Sequence, residues 1–119
     1  MPQTLFYRCG GFAAVSRVVL DFYDRILDSE KAGDYFDGVD MTKLVDHQTK
    51  FISYLMGGPA SYTDEQLRRT HANLGIDSES FDEMVSILCD TLASHGIEPG
   101  DVDVIRRELE RRRSIIITA

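Results

Sequence analysis

The sequence predicts an all-α fold in a single domain. Apolar residues recur every three or four positions along most of the chain, which is typical of amphipathic helices. No segment alternates apolar and polar residues in the way that a half-buried strand does. Glycines and helix-capping residues divide the chain into segments of helical length. With 119 residues, the chain has the size of one domain, and we assign residues 1–119 to it.

The first two predicted helices are separated by a pair of glycines. A short helix is expected at about residues 4–8, and Gly10-Gly11 then lets the chain turn sharply. From Phe12 onward a helical stripe follows. Its apolar members are Val15, Val18, Val19, Phe22, Tyr23, Ile26 and Leu27. Residues 28–40 are glycine-containing and acidic, so we expect a looser connection there.

Asp40 is a predicted N-cap for the third helix. The inner stripe of that helix comprises Met41, Leu44, Val45, Gln48, Phe51, Ile52 and Leu55. Gly57-Gly58-Pro59 is expected to end it, because proline cannot continue a helix. Thr63 and Gln66 have the spacing of a capping box. They open a short helix that carries Leu67, Thr70, His71 and Leu74 and closes at Gly75.

Two further helices are predicted in the last third of the chain. One runs from about residue 78 to residue 95 and ends at Gly96. Its inner stripe is Phe81, Met84, Val85, Leu88 and Leu92. Pro99 leads into the other helix, whose inner residues are Val102, Ile105 and Leu109. Residues 114–119 are mostly apolar and β-branched, and they either extend the last helix onto the core or fray.

Composition and charge narrow the class of protein. The net charge is −7, which argues against nucleic acid as a partner because phosphates require lysine and arginine. We interpret Arg111-Arg112-Arg113 as cations near a helix C-terminus rather than a binding patch. No apolar run is long enough to span a membrane. Cys9 and Cys89 do not form a disulfide framework, so we expect a reduced, cytoplasmic protein.

Three polar residues interrupt the apolar stripes: Tyr23, Gln48 and His71. A buried polar group costs free energy unless it finds a partner. Taken singly, each has an ordinary interpretation as a core or rim residue. A haem pocket explains them together, since a neutral imidazole binds the iron on one side and hydrogen-bond donors on the other side control ligand chemistry. Phe36 and the aliphatic stripes would supply apolar walls.

Several short motifs follow one another along the chain in a characteristic order. They cover nearly the whole chain, from about residue 5 to residue 109, and comprise Cys9-Gly10-Gly11, DFYDRIL at 21–27, YFDGVDM at 35–41, HQTKF at 47–51, Gly57-Gly58-Pro59, Tyr62-Thr63 and LRRTH at 67–71. In this order and spacing the chain resembles the truncated haemoglobins of the first group. The resemblance implies a shortened globin fold, a two-over-two helical sandwich around a haem.

The resemblance also implies roles for individual residues. His71 matches the proximal iron ligand, and Tyr23 matches the distal residue that donates a hydrogen bond to oxygen. Gln48 matches a second distal polar residue, and Phe36 matches a phenylalanine that packs on the haem. The remaining expected haem contacts are Leu44, Phe51, Leu67, Ile76, Phe81 and Val85, with Arg68 or Arg69 as a partner of a propionate. Ile52 lies with Phe51 on an apolar route for gas. Haem b is expected to be held non-covalently, since no histidine lies near the C-terminus.

His47 has two interpretations that the sequence leaves open. In some similar proteins a histidine at this position binds the iron as a sixth ligand when no gas is present. Alternatively His47 points outward to solvent or to a propionate. A shift of one residue turns a side chain by about 100° around a helix, so the pattern does not decide between them.

The expected function is binding of diatomic gases, namely dioxygen, nitric oxide and carbon monoxide, for oxygen transport or for nitric oxide detoxification. A nitric oxide dioxygenase would need an external reductase, because the chain has no flavin or nicotinamide domain. The alternatives are a haem-based gas or redox sensor and a haem-free helical interaction module. No long exposed apolar face is evident, so we expect a monomer.

Overall fold

The computed structural model describes residues 4–30 and 32–119. In this part of the chain every regular element is helical, which confirms the all-α prediction. The predicted domain of residues 1–119 also includes residues 1–3 and 31, which lie outside the described residues. The α-helices are α1 Leu5–Cys9, α2 Gly11–Leu27, α3 Met41–Leu55, α4 Asp64–His71, α5 Ser78–Ser94, α6 Pro99–Arg111 and α7 Arg113–Ile116, and a 3-10 helix spans Gly33–Phe36.

Two helical pairs form the body of the molecule. Helix α2 packs on α3 and on α5, and α5 packs on α6. The inner side of α2 is buried as its stripe predicts, and Ile26 is completely inaccessible. Full burial of such a side chain contributes about 1.5–3 kcal/mol to folding. Leu27, at the end of the stripe, is half exposed.

The two glycine motifs meet around Phe6. Gly10 has a φ of 115° and ends α1, while Gly57 has a φ of 82° and follows α3. The Phe6 amide donates a hydrogen bond to the Met56 carbonyl at 3.1 Å. A β-carbon on Gly58 would lie 2.7 Å from the Phe6 ring. The glycines therefore let the α1 segment pack directly on the end of α3.

The predicted capping residues begin the helices that carry the site. The Asp40 carboxylate accepts hydrogen bonds from the amides of Thr42 and Lys43, at 3.1 and 3.3 Å. The Thr63 hydroxyl accepts from the Gln66 backbone N–H at 3.1 Å, and the Gln66 side-chain oxygen accepts from the Thr63 backbone N–H at 2.8 Å. This reciprocal pair confirms the capping box and fixes where α4 starts.

The end of the chain departs from the prediction. Residues 114–119 neither extend the last helix nor fray, because α6 stops at Arg111 and α7 forms a separate turn of helix. The Thr118 amide then donates to the Ile76 carbonyl at 3.0 Å. The expectation was wrong because the partner of this segment lies more than forty residues away in sequence. In the described residues no helix has both the length and the apolar character needed to cross a membrane.

Candidate functional site

An apolar cleft lies between α2, α3, α4 and α5. It receives aromatic and aliphatic side chains from α2, α3 and α5, from the 3-10 helix and from single residues of α6 and α7, while α4 contributes Thr70 and His71. The lining residues are Val19, Phe22, Tyr23, Tyr35, Phe36, Leu44, Gln48, Phe51, Ile52, Thr70, His71, Leu74, Ile76, Phe81, Met84, Val85, Leu88, Leu109 and Ile116. None of the described residues that line it is a lysine, arginine, aspartate or glutamate. The cleft therefore suits a largely apolar ligand with a few polar contacts.

His71 is the last residue of α4 and is 9% exposed. Its Nδ1 lies 2.8 Å from the Leu67 carbonyl oxygen, one helical turn earlier. A carbonyl oxygen only accepts, so Nδ1 carries the proton and Nε2 keeps its lone pair. The carbonyl therefore fixes both the tautomer and the ring orientation, as outer partners of metal-binding histidines usually do.

The environment of His71 favours the neutral imidazole. Burial lowers the pKa of His71 below its ordinary value, and the hydrogen bond to the Leu67 carbonyl opposes this in part. Burial disfavours a charged ring because it removes water from around it. A neutral ring with a free Nε2 is the form that binds a metal.

Tyr23 brings a hydroxyl into the cleft from α2. Its side chain is only 3% exposed. Its ring packs edge-on against Phe36, with centroids 5.5 Å apart, and against Phe22 at 5.1 Å. Burial raises the pKa of Tyr23 well above its usual range, and a hydrogen bond from the Gln48 side chain opposes this. The phenol therefore stays protonated at neutral pH.

Gln48 and His47, the two polar candidates on α3, have different surroundings. Gln48 lines the cleft and reaches Tyr23, and Leu44 lies one turn earlier on the same wall. His47 is exposed and is absent from the cleft lining. This placement favours the outward interpretation of His47, and its role as a sixth ligand stays a prediction.

The cleft gathers most of the predicted contacts but leaves out two on α4. Phe36, Phe51, Ile76, Phe81 and Val85 all line it. Leu67 is 2% exposed and lies in the core outside the cleft lining. Arg68 lies at the surface, where it pairs with Glu65 at 3.3 Å. Their roles toward a haem stay predictions.

Sequence reasoning missed several lining residues. Met84, Leu88 and Val19 line the cleft and lie on the predicted apolar stripes of α5 and α2. Helical periodicity could therefore have assigned them to the site. Tyr35 and Ile116 had no such signal. Tyr35 follows an irregular connection, and its hydroxyl hydrogen-bonds Ser80 at 3.3 Å. Ile116 reaches the cleft from the end of the chain.

The residues present fit a haem in chemistry. The cleft offers one neutral imidazole with a free Nε2, apolar walls and a protonated phenol from a different helix. Its enclosed volume is about 110 Å³, whereas ligand pockets usually measure roughly 300–1,000 Å³. Binding of a macrocycle therefore requires the lining side chains to move apart.

Comparisons with known proteins place this arrangement among haem proteins. The bacterial-like globin family matches residues 4–117 of the chain. The group 1 truncated hemoglobin GlbN of Synechocystis sp. is 35% identical over 99 residues, which is 80% of each protein.

Solved structures agree with the sequence comparison. The truncated hemoglobin of Tetrahymena pyriformis in its Fe(III) form superposes with a TM-score of 0.87 at 26% identity, covering 97% of this chain and 98% of that one. The 2/2 hemoglobin of Synechococcus sp., solved in the cyanomet state with covalently attached heme, gives a TM-score of 0.88 at 26% identity, covering 98% of this chain and 100% of that one. These matches confirm the predicted two-over-two globin fold.

Proposed function

The chain belongs to the bacterial-like globin family, and we propose that it holds haem b non-covalently and uses it to bind dioxygen reversibly. Members of this family bind haem, whose iron supplies the site for a diatomic gas. The observation that carries the proposal is the hydrogen bond of 2.8 Å between His71 Nδ1 and the Leu67 carbonyl. It leaves Nε2 without a proton, and because His71 lines the cleft, this nitrogen is the proposed proximal ligand.

Tyr23 is the proposed donor to the gas. Both Tyr23 and Gln48 line the cleft, and the Gln48 side chain acts on the pKa of the phenol, so the two polar groups are close enough to serve the same ligand. Preorganised donors of this kind stabilise negative charge that develops on a ligand. In this proposal Gln48 orients the phenol and adds a second donor, and both residues slow the release of oxygen.

Nitric oxide detoxification is a second proposed function, and it rests on the same phenol. A pocket that holds oxygen tightly favours its reaction with nitric oxide to give nitrate. A bound haem would supply the site of this reaction, and an external reductase would have to supply one electron per turnover. Carbon monoxide would bind as a further diatomic ligand. Carrier and dioxygenase roles differ in whether nitrate forms catalytically when a reductase is supplied.

Non-covalent attachment is proposed from the histidines of the chain. The sequence has three, at positions 47, 71 and 95. His95 lies at the far end of α5 and bonds the Asp21 carboxylate at 2.9 Å. The heme of the Synechococcus relative is covalently attached, so this chain is expected to differ from it. Denaturation in acidified organic solvent should extract the haem completely.

Absorption spectroscopy tests the haem proposal directly. The purified protein is mixed with haem, and spectra are recorded in the ferric, ferrous and carbonmonoxy forms. A sharp Soret band that shifts with reduction and with carbon monoxide is the expected result. Failure to bind haem would favour the alternative of a haem-free helical interaction module.

The same spectra address His47. Split visible bands in the ferrous protein without gas would mean a sixth ligand, and the His47→Ala variant should then lose the splitting. A single broad band in both proteins would exclude His47 as a ligand. Three further predictions stay open to test. A partner search would check the sensor role, ultracentrifugation the monomeric state, and cell fractionation the cytoplasmic location.

A further inference from the structure

The segment 117–119 returns to the connection between α4 and α5, directly behind His71. The Thr118 and Ala119 amides both donate to the Ile76 carbonyl, at 3.0 and 3.2 Å. The Thr118 hydroxyl accepts from the Gly75 amide at 3.0 Å and donates to the His71 carbonyl at 3.3 Å. One residue thus bonds to both ends of the turn that follows His71.

These bonds act at a weak point of the fold. Helix α4 has eight residues, and so short a helix is marginal without tertiary contacts. His71 is its last residue, so the His71 carbonyl is one of those left without an intrahelical partner. Its bonding partners are the Leu74 amide at 3.2 Å and the Thr118 hydroxyl.

The same end of the chain also touches the cleft. Ile116 is 7% exposed and lines the cleft. The Arg113 guanidinium lies 4.9 Å above the Phe81 ring and bonds the Asp82 carboxylate at 2.7 Å. These contacts join α7 to α5, and α7 also packs on α4, so the segment that carries Thr118 starts from an anchored helix.

We propose that Thr118 is a positioning residue for His71. Its hydroxyl joins the His71 carbonyl to the Gly75 amide, and so fixes the backbone from which the imidazole projects into the cleft. Gly75 has a φ of 65°, so the turn follows an unusual path that these bonds hold in place. The proposal rests on the proposed function, since it gives His71 the role of iron ligand.

The test compares Thr118→Val with Thr118→Ser. Valine keeps the shape and the backbone amide but removes the hydroxyl, whereas serine keeps the hydroxyl. Thr42→Val serves as a matched control on the exposed start of α3. Each protein is loaded with haem, and two properties are measured: the iron–histidine stretching band of the ferrous form by resonance Raman, and the rate of haem transfer to an excess of a haem-scavenging apoprotein.

Thr118→Val should shift or broaden the iron–histidine band and speed haem loss roughly two- to threefold. The variant removes two hydrogen bonds, but the expected effect is only the low end for a single one, because Thr118 is exposed and water competes for its hydroxyl. Thr118→Ser should restore the wild-type band, and Thr42→Val should leave it unchanged. An unchanged band in Thr118→Val would overturn the proposal, even if the variant unfolds at a lower temperature.

Hydrogen exchange in the haem-free protein separates failure of this proposal from failure of the proposed function. The Gly75 amide should exchange faster in Thr118→Val than in the wild-type protein and Thr118→Ser. If the wild-type protein binds no haem, the proposed function fails while this measurement still reports on the bond. Equal exchange of the Gly75 amide in all three proteins would overturn the positioning role by itself.

Discussion

His71 and Tyr23 line the same cleft but are held in different ways. The His71 ring is tied to its own helix by a hydrogen bond of 2.8 Å, and its carbonyl bonds to a residue 47 positions later. The Tyr23 ring is held by aromatic packing against Phe22 and Phe36. Its hydroxyl has the Gln48 side chain as a polar neighbour.

The difference follows from what each group has to do. A metal ligand needs a fixed ring, one tautomer and a free lone pair, and a hydrogen bond at the opposite nitrogen provides all three. A donor to a transient gas needs a proton that no protein group has taken. Ring packing fixes the position of a phenol without occupying its O–H.

The largest effect is expected from removal of the His71 imidazole. His71→Gly removes the proximal ligand, so haem affinity should fall by more than the roughly 10–100-fold that loss of an outer partner costs. Haem titration followed at the Soret band measures it. Added imidazole should restore the five-coordinate ferrous spectrum by entering the space of the missing ring. If His71→Gly binds haem as tightly as the wild-type protein, His71 is not the ligand.

The next effect isolates the phenol. Tyr23→Phe keeps the ring packing and removes the donor, so oxygen should dissociate roughly 10–100-fold faster while haem stays bound, as expected for a hydrogen bond to a charged group. Stopped-flow replacement of oxygen by carbon monoxide measures the rate.

Tyr35→Phe is the matched control for the phenol. Tyr35 also lines the cleft, but its hydroxyl bonds Ser80 and the Gly75 carbonyl. Its replacement should change the oxygen dissociation rate little. Equal rates in the two variants would mean that Tyr23 has no special role as a donor.

A third prediction concerns the close packing of Gly58, just after α3, against Phe6. In Gly58→Ala the new β-carbon would meet the Phe6 ring at 2.7 Å and the Ser53 carbonyl at 2.9 Å. Such overpacking usually costs about 1–3 kcal/mol of the free energy of unfolding. Urea denaturation measures it. Gly100→Ala is the control, since its β-carbon would meet no other part of the protein within 4 Å, and because alanine favours a helix it should be at least as stable as the wild-type protein.

The smallest expected effect is on how the stability of the haem-free protein depends on pH, where His71 and Tyr23 act in different pH ranges. Burial lowers the pKa of His71, so below about pH 6.5 the unfolded chain binds a proton more readily than the folded protein. The free energy of unfolding therefore decreases as the pH is lowered. Burial raises the pKa of Tyr23, so above about pH 10 the unfolded chain loses its proton first and stability falls as pH rises.

Two variants should flatten these slopes separately. His71→Gln should reduce the acid slope and Tyr23→Phe the alkaline slope, both measured by urea denaturation over the two pH ranges. His47→Gln, at an exposed position, should retain both slopes. An acid slope unaffected by His71→Gln would show that its burial does not influence stability.

Much of the fold could be predicted because its signals are local. The capping residues Asp40 and Thr63 mark helix starts through bonds to amides two or three residues away. Gly10 and Gly57 mark the breaks, since both take a positive φ. Two segments were predicted less well: the connection at 28–40 contains the 3-10 helix Gly33–Phe36, and residues 113–116 form the separate helix α7.

The sequence by itself determined the helices, their order and the polar residues that interrupt their inner stripes, because helical periodicity and capping act within a few residues. The inner stripe already predicted Gln48 for the cleft, but tertiary structure alone decided that its neighbour His47 is exposed. Only the fold placed Thr118 behind His71. The physical reason is that the rotation of a helix and the partner of a distant segment depend on how all the helices pack together, and no short stretch of sequence contains that information.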